Sequence, residues 1–409
     1  MSQAAAPFLR LLRRGPFARY MAGETISMVG AWMQMFAQGW LLTTLTPEAT
    51  ALGWLTFAGG VPTLIFSMFA GSLADRFDKR RILLAVLIAQ LIFAVLIGWL
   101  AQTGAIRIWH LYAVTAALGL IAAFEVPAVS SFVPELVAKD DLARALAIDR
   151  ASFHFTRMIG PALAGWLVGQ FGVPTAYYLN AASFLALMWA ILTIGPRARG
   201  TVEEEEMRQG PMRAGFDFVR RDAPTRAMIL LMAAMSCFAS PFFMVTLPVY
   251  ARSVLGLDAA RMGVLMAFSG VGSFIGALSL LTLPPGRRAI FLKCGSAAAV
   301  LGLGTLALAP SFDIAAVGIA LMTLGLSTTF GTSHIVVQER APDPIRGRVS
   351  AVASLSFFGT MPFAGLAMAA LADHFGLRRV MLGGAACFAL AAAALLAGRK
   401  QLASAPPSA

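Results

Sequence analysis

Apolar runs of nearly constant length dominate the sequence and leave few folds open to it. Twelve of them, near residues 20–44, 51–73, 82–101, 108–133, 144–170, 175–195, 227–251, 262–283, 289–309, 314–338, 349–372 and 377–398, match the ~20 residues a helix needs to cross the hydrocarbon of a bilayer. Lipid offers no water to the backbone, so runs of this length fold as helices whose hydrogen bonds close within the segment. With 58% hydrophobic and 13% charged residues, no water-soluble surface can be assembled. An all-α polytopic membrane protein with twelve transmembrane helices is predicted.

The charges fix an expected orientation. With both termini cytoplasmic, the inside segments hold 26 of the 32 Lys and Arg residues, five lie in outside loops, and Arg157 falls inside a span. That bias follows the positive-inside rule and accounts for the net charge of +12 without a nucleic-acid partner. The first 20 residues carry Arg10, Arg13, Arg14 and Arg19 but no short apolar core with a cleavage site, and are read as a retained cytoplasmic lead-in. Cys237, Cys294 and Cys387 all lie in apolar runs, so neither a disulfide framework nor a zinc site is expected.

The only long polar stretch runs from about Pro196 to Arg226, with Glu203 to Glu206 and seven arginines. It reads as a cytoplasmic linker, dividing the chain into residues 1–196, linker 197–226, and residues 227–409. An internal repeat supports the division. Gly53, Leu55, Gly60 and Val61 recur 210 residues later as Gly263, Leu265, Gly270 and Val271, Gly119-Leu120 with Phe124 matches Gly325-Leu326 with Phe330, and Phe171-Gly172 matches Phe375-Gly376. Two pseudo-symmetric six-helix bundles follow, an arrangement that places a cavity between duplicated halves near the midplane.

Between the second and third spans, Gly71 is followed by Asp75, Arg76, Asp78, Lys79, Arg80 and Arg81. Asp75 at the helix end, Asp78 and four cations stop the apolar run at a membrane face. This stretch resembles the loop signature of the major facilitator superfamily. Further residues sharpen the likeness: Gly30-Ala31-Trp32-Met33-Gln34 leading to Gly39-Trp40-Leu41, then Pro134-Glu135-Leu136-Val137, then Arg157 with Gly160-Pro161-Ala162-Leu163-Ala164-Gly165, and more weakly Arg346-Gly347-Arg348-Val349 with Pro362. Together they resemble the enterobactin-exporter-like, or transmembrane secretion effector, branch, which overlaps a drug:proton antiporter group. The resemblance implies a twelve-helix secondary exporter of small molecules such as siderophores, macrolides or tetracyclines, in a bacterial inner membrane. It also implies an export-associated role for the Gly160, Pro161 and Gly165 element. The chain departs from the branch at Glu24, where Gln is common, at Asp78 for Gly, at Val129 for Arg and at His154 for Asn.

Ionisable groups inside spans are costly and mark function. Glu125 and Arg157 lie deep in the fourth and fifth spans, and an ion pair between them is expected, with His154 one turn from Arg157 on the same face. Two readings stay open, a proton-exchanging network and a permanently paired lock. Glu24 is a second proton-coupling candidate, or an interfacial carboxylate paired with Arg19; Asp149 and Arg150 are expected at the interface. At the loop, Asp75 is expected to meet the start of the eleventh helix near Arg346, and Arg80 to reach Glu135. With Gly71, Arg76 and Lys79, these form a gating motif. The methionine cluster Met228, Met232, Met235 and Met244 reads as packing or as a pliable cavity lining.

No nucleotide-binding Gly-Lys-Ser/Thr loop follows a strand, no Cys/His set has metal spacing, and His110, His154, His334 and His374 are scattered. An enzyme is not expected, nor a cofactor or metal. The sequence therefore supports a monomeric, proton-coupled exporter of a small organic molecule. Proton-coupled uptake, and a non-transporting scaffold or sensor on the same fold, are the alternatives.

Overall fold

A computed structural model of the chain describes residues 11–12, 15–74, 78–194 and 213–397, and every regular element among them is helical. The first half comprises α1 (Pro16–Leu45), α2 (Ala49–Ala74), α3 (Lys79–Gln102), α4 (Ile108–Glu135), α5 (Leu142–Phe171) and α6 (Val173–Thr193). From residue 213 follow a short amphipathic α7 (Arg213–Arg221), then α8 (Ala223–Phe238), α9 (Ser240–Met244), α10 (Leu247–Val249) and α11 (Ala259–Ser279). The chain continues through α12 (Arg288–Leu308), α13 (Phe312–Arg340), α14 (Arg346–Ser354), α15 (Met361–Phe375) and α16 (Leu377–Leu396).

Each of the twelve expected spans is occupied by helix. Among the described residues, nine stretches are long and apolar enough to cross a bilayer. The 30-residue α1 and α5 have the length, but polar residues in their interiors lower their hydropathy. The seventh expected span is broken into α8, α9, α10 and a π-helical turn at Tyr250–Val254. Pro241 and Pro248 lie at those breaks, each removing a backbone donor.

Local chemistry sets the helix ends. Asp78 caps α3 by accepting from the Arg80 amide, and Asp222 caps α8 by accepting from the Thr225 amide, satisfying donors that a first turn leaves open. The repeated Phe-Gly pairs do the same job twice. Gly172 (φ 84°) separates α5 from α6 and Gly376 (φ 85°) separates α15 from α16, a backbone region that favours glycine.

The chain forms two compact units. One comprises Met1–Pro47, Ala58–Gly200 and Leu257–Ala267, the other Glu48–Phe57, Thr201–Gly256 and Phe268–Ala409. The first is centred on Phe17, Tyr20, Leu87, Phe132, Phe184 and Ile191. In the second, Met228, Met232 and Met235 are fully buried, as are Leu231, Phe242 and Phe388, while Met244 is half exposed; three of the four clustered methionines are core. There α12 and α13 cross with backbones nearly touching. A Cβ on Gly302 would sit 2.2 Å from the Met322 amide nitrogen, and one on Gly325 2.2 Å from that of Ala299.

Candidate functional site

The polar interior of the first unit is built by α1, α3, α4 and α5. Tyr20 and Glu24 stand one turn apart on α1, so they share a face, and the phenol is close enough to act on the carboxylate. Two further acids, Glu125 on α4 and Asp149 on α5, are close enough to act on Glu24 electrostatically. The Glu125 carboxylate accepts a 2.8 Å hydrogen bond from Gln90 Nε2 on α3. The expected partner was Arg157; among the described residues no ion pair joins the two. Thr25 and Ser152 bring α1 and α5 together beside these acids, hydroxyl to hydroxyl at 3.4 Å.

Farther along α5, Arg157 lies over the Trp32 ring, 5.7 Å from its centroid, within cation–π range. Phe153 packs edge-on against both Trp32 and His154, at 5.8 and 5.7 Å. Arg157 and Arg150 both act electrostatically on His154. The four proton-coupling candidates, Glu24, Glu125, His154 and Arg157, thus lie in one unit. They divide into an acidic group and a cationic, aromatic group.

Pro161 and its flanking glycines form a seam. A Cβ on Gly160 would meet Trp32 Cβ at 2.5 Å, and one on Gly165 would meet the Ala259 carbonyl at 2.5 Å and Gly263 Cα at 2.8 Å. The element therefore brings α5 against α1 and the first turns of α11, as small residues do in membrane interfaces.

The loop motif is seen in part. Gly71 lies in α2; Asp75 and Arg76, and with them the expected meeting of Asp75 with Arg346, lie outside the described residues. Lys79 takes the role foreseen for Arg80, pairing with Glu135 at 2.6 Å. Arg80 instead donates to the Leu192 carbonyl, and Arg19 to that of Thr193, each at 2.9 Å. Arg19 is thus engaged at the end of α6, where cations complement exposed carbonyls.

Sequence spacing missed three participants. Tyr20 was signalled by its position four residues before Glu24. Asp149 was expected at the interface, and its effect on Glu24 depends on how α1 and α5 pack. Gln90 carries no charge and stands 35 residues from Glu125, so no local pattern marks it.

The interior of the second unit is different in kind. Hydroxyls on α13 reach carbonyls of α11, with Thr323 donating to Ser269 at 2.8 Å and Ser327 to Ser273 at 2.9 Å. His334 stacks on Phe330, which packs edge-on against Phe357.

Residues 4–406 match the family described as transmembrane secretion effector. Among curated relatives, the chain is 24% identical to the staphyloferrin A transporter of Staphylococcus aureus, over 88% of this chain and 90% of that one. It is also 24% identical to the multidrug efflux pump Tap of Mycobacterium tuberculosis, over 91% of each. Among solved structures, an inward-facing bacterial homologue of the iron transporter ferroportin superposes with a TM-score of 0.73 at 15% identity, covering 93% of this chain and 98% of that one. A bacterial homologue of the lysosomal transporter Spinster gives 0.71 at 15% identity, covering 93% and 95%. These likenesses in structure establish a common fold. The match across nearly the whole sequence places the chain in the transmembrane secretion effector family of major facilitator transporters, membrane carriers and not enzymes.

Proposed function

We propose that the protein is a proton-coupled exporter of a small organic molecule, a siderophore or a lipophilic drug, working by alternating access. In this reading it is a monomer of two six-helix bundles joined by the linker at 197–226. It sits in a bacterial inner membrane with both termini cytoplasmic. The observation that carries the reading is the grouping of Glu24, Glu125 and Asp149 in one unit, with Tyr20 and Gln90 on two of them. Like charges held together away from water resist simultaneous ionisation, which makes such a cluster a natural seat for an exchangeable proton. Secondary transport needs only that one cavity bind its proton and its cargo differently in two states. The names of the curated relatives, a siderophore transporter and a multidrug efflux pump, support the cargo classes.

The test is retention of a panel of siderophores and lipophilic drugs in cells lacking their own efflux pumps. Expression is expected to lower retention of at least one cargo, and an uncoupler to restore it. Glu24→Gln and Glu125→Gln are each expected to reduce the effect at least tenfold at unchanged protein level. Cargo extrusion that survives both the uncoupler and the two substitutions would overturn the proton-coupled reading.

A further inference from the structure

A groove of about 490 Å³ runs between α12 and α16 in the second unit, within the ~300–1,000 Å³ typical of ligand sites. Its walls are almost wholly small and aliphatic, with Ala297, Val300 and Leu301 facing Ala389 and Ala393 across the helix pair. Two polar residues interrupt them, both near the start of α12. Lys293 lies at one end of the groove, exposed, and among the described residues no carboxylate pairs with it. One turn deeper, Ser296 is only 4% exposed, lines the groove, and its hydroxyl finds no hydrogen-bond partner in the protein. Helix serines ordinarily return such a proton to a carbonyl one turn back; this hydroxyl is left for something else.

The order of groups along α12 identifies what fits. A cation comes first, a hydroxyl ~4.5 Å farther in at 1.5 Å per residue, and then a purely apolar channel. An anionic phospholipid presents the matching series of phosphate, ester carbonyl and acyl chain. The end of α12 that holds Lys293 begins with Arg287 and Arg288, the cation-rich end that the positive-inside rule places in the cytoplasm. Basic pockets between helices on that side suit acidic headgroups, and a lysine stem can lie along apolar surface while its ammonium reaches the headgroup layer. We propose that this groove is a binding site for one anionic phospholipid of the cytoplasmic leaflet, with Lys293 on the phosphate, Ser296 on an ester carbonyl and the α12/α16 channel around an acyl chain.

The experiment uses the purified full-length chain in detergent, titrated with dioleoyl phosphatidylglycerol or dioleoyl phosphatidylcholine, with bound lipids counted by native mass spectrometry. The wild type is expected to retain one phosphatidylglycerol at least fivefold more strongly than phosphatidylcholine. Lys293→Gln is expected to erase that preference, and Ala393→Leu, which fills the channel, to remove the retained lipid whatever its headgroup. Gel-filtration profiles check that both variants remain folded, and Lys293→Gln, an exposed change, carries the test alone if Ala393→Leu does not. Equal retention of the two lipids by the wild type, or an unchanged preference in Lys293→Gln, would overturn the proposal.

Discussion

Asp222 and Arg340 tie the start of α8 to the end of α13 by two parallel bonds, Nε to Oδ2 at 2.9 Å and the terminal nitrogen to Oδ1 at 2.7 Å. The side chains are 17% and 13% exposed, so neither keeps a full water shell. Asp222 also caps α8 through the Thr225 amide at 3.0 Å. Replacing it with Ala strands a largely buried guanidinium and opens the cap. Unpairing a buried ion costs ~3–5 kcal/mol and losing a cap ~1 kcal/mol, so a loss of about 3 kcal/mol or more is expected. Thermal unfolding in detergent should register it as a drop of several degrees. The pH dependence has a definite sign. Burial pushes the Asp222 carboxyl up, but hydrogen bonds from Arg340 and Thr225 outweigh it and hold the group below its ordinary 3.8. A depressed carboxyl contributes stability above its unfolded value and loses it as pH falls through the folded one. The gap in melting temperature between wild type and Asp222→Asn should therefore be constant from pH 5 to 8 and close below about pH 4. A gap that instead closes on raising the pH would refute the assignment. The pair was not legible in the sequence, because 118 residues separate its members. Reach also decided the loop: Lys79 and Arg80 are adjacent cations, and only the way α3 faces α4 and α6 sends one to Glu135 and the other to Leu192.

At the scale of the element, glycine position matters more than glycine number. Gly295 and Gly302 on α12, and Gly318 and Gly325 on α13, are each seven residues apart, two turns along one face. Together they let the two backbones approach to contact. A side chain at Gly302 would meet Met322 backbone at 2.2 and 2.6 Å, atoms that cannot swing aside. Gly304, two residues on, has nothing within 4 Å of where a Cβ would stand. Gly302→Val is thus expected to cost more than the ~1–3 kcal/mol of ordinary overpacking and to cut the yield of folded protein sharply. Gly304→Val should give wild-type yield and melting temperature. Equal behaviour of the two would mean that the seam does not hold the helix pair. The sequence showed where helices start and stop, since length, charge and the Phe-Gly pairs are local signals. It did not show which glycine faces a neighbour, because both lie in the same apolar run and differ only in direction.

Across the whole molecule, the apolar runs and the loop signature pointed to the fold, and the motifs at Gly30–Gln34, Pro134–Val137 and Gly160–Gly165 to the family, all being properties of the chain in order. The acidic group in the first unit was half legible. Glu24 and Glu125 stand out as charges in spans and Tyr20 lies one turn from Glu24 on the same helix, while Gln90 and the reach of Asp149 depend on how the helices meet. One long-range contact was wholly hidden. Asp373, near the end of α15, accepts from the amides of Ala49 and Thr50 at 2.8 Å each, and from the Thr50 hydroxyl. A carboxylate from 323 residues away thereby serves the open donors of the first turn of α2, where the helix dipole also favours an anion. Gly53 continues the contact, since a Cβ there would lie 2.8 Å from Leu366 Cα. In the two-bundle reading proposed above, α2 and α15 belong to different bundles, so alternating access in that reading has this contact form in one state and part in the other. A charged cap that exchanges protein for water is suited to that, because the amides and the carboxylate are each well solvated when separated. Asp373→Asn keeps the shape but removes the charge, and should shift the population toward the parted state. In a Thr50→Cys background freed of Cys237, Cys294 and Cys387, maleimide labelling in detergent should accelerate several-fold when Asp373→Asn is added, with the melting temperature little changed. An unaltered labelling rate would make Asp373 a static cap, and the parting of α2 from α15 would then have to be sought elsewhere along the pair.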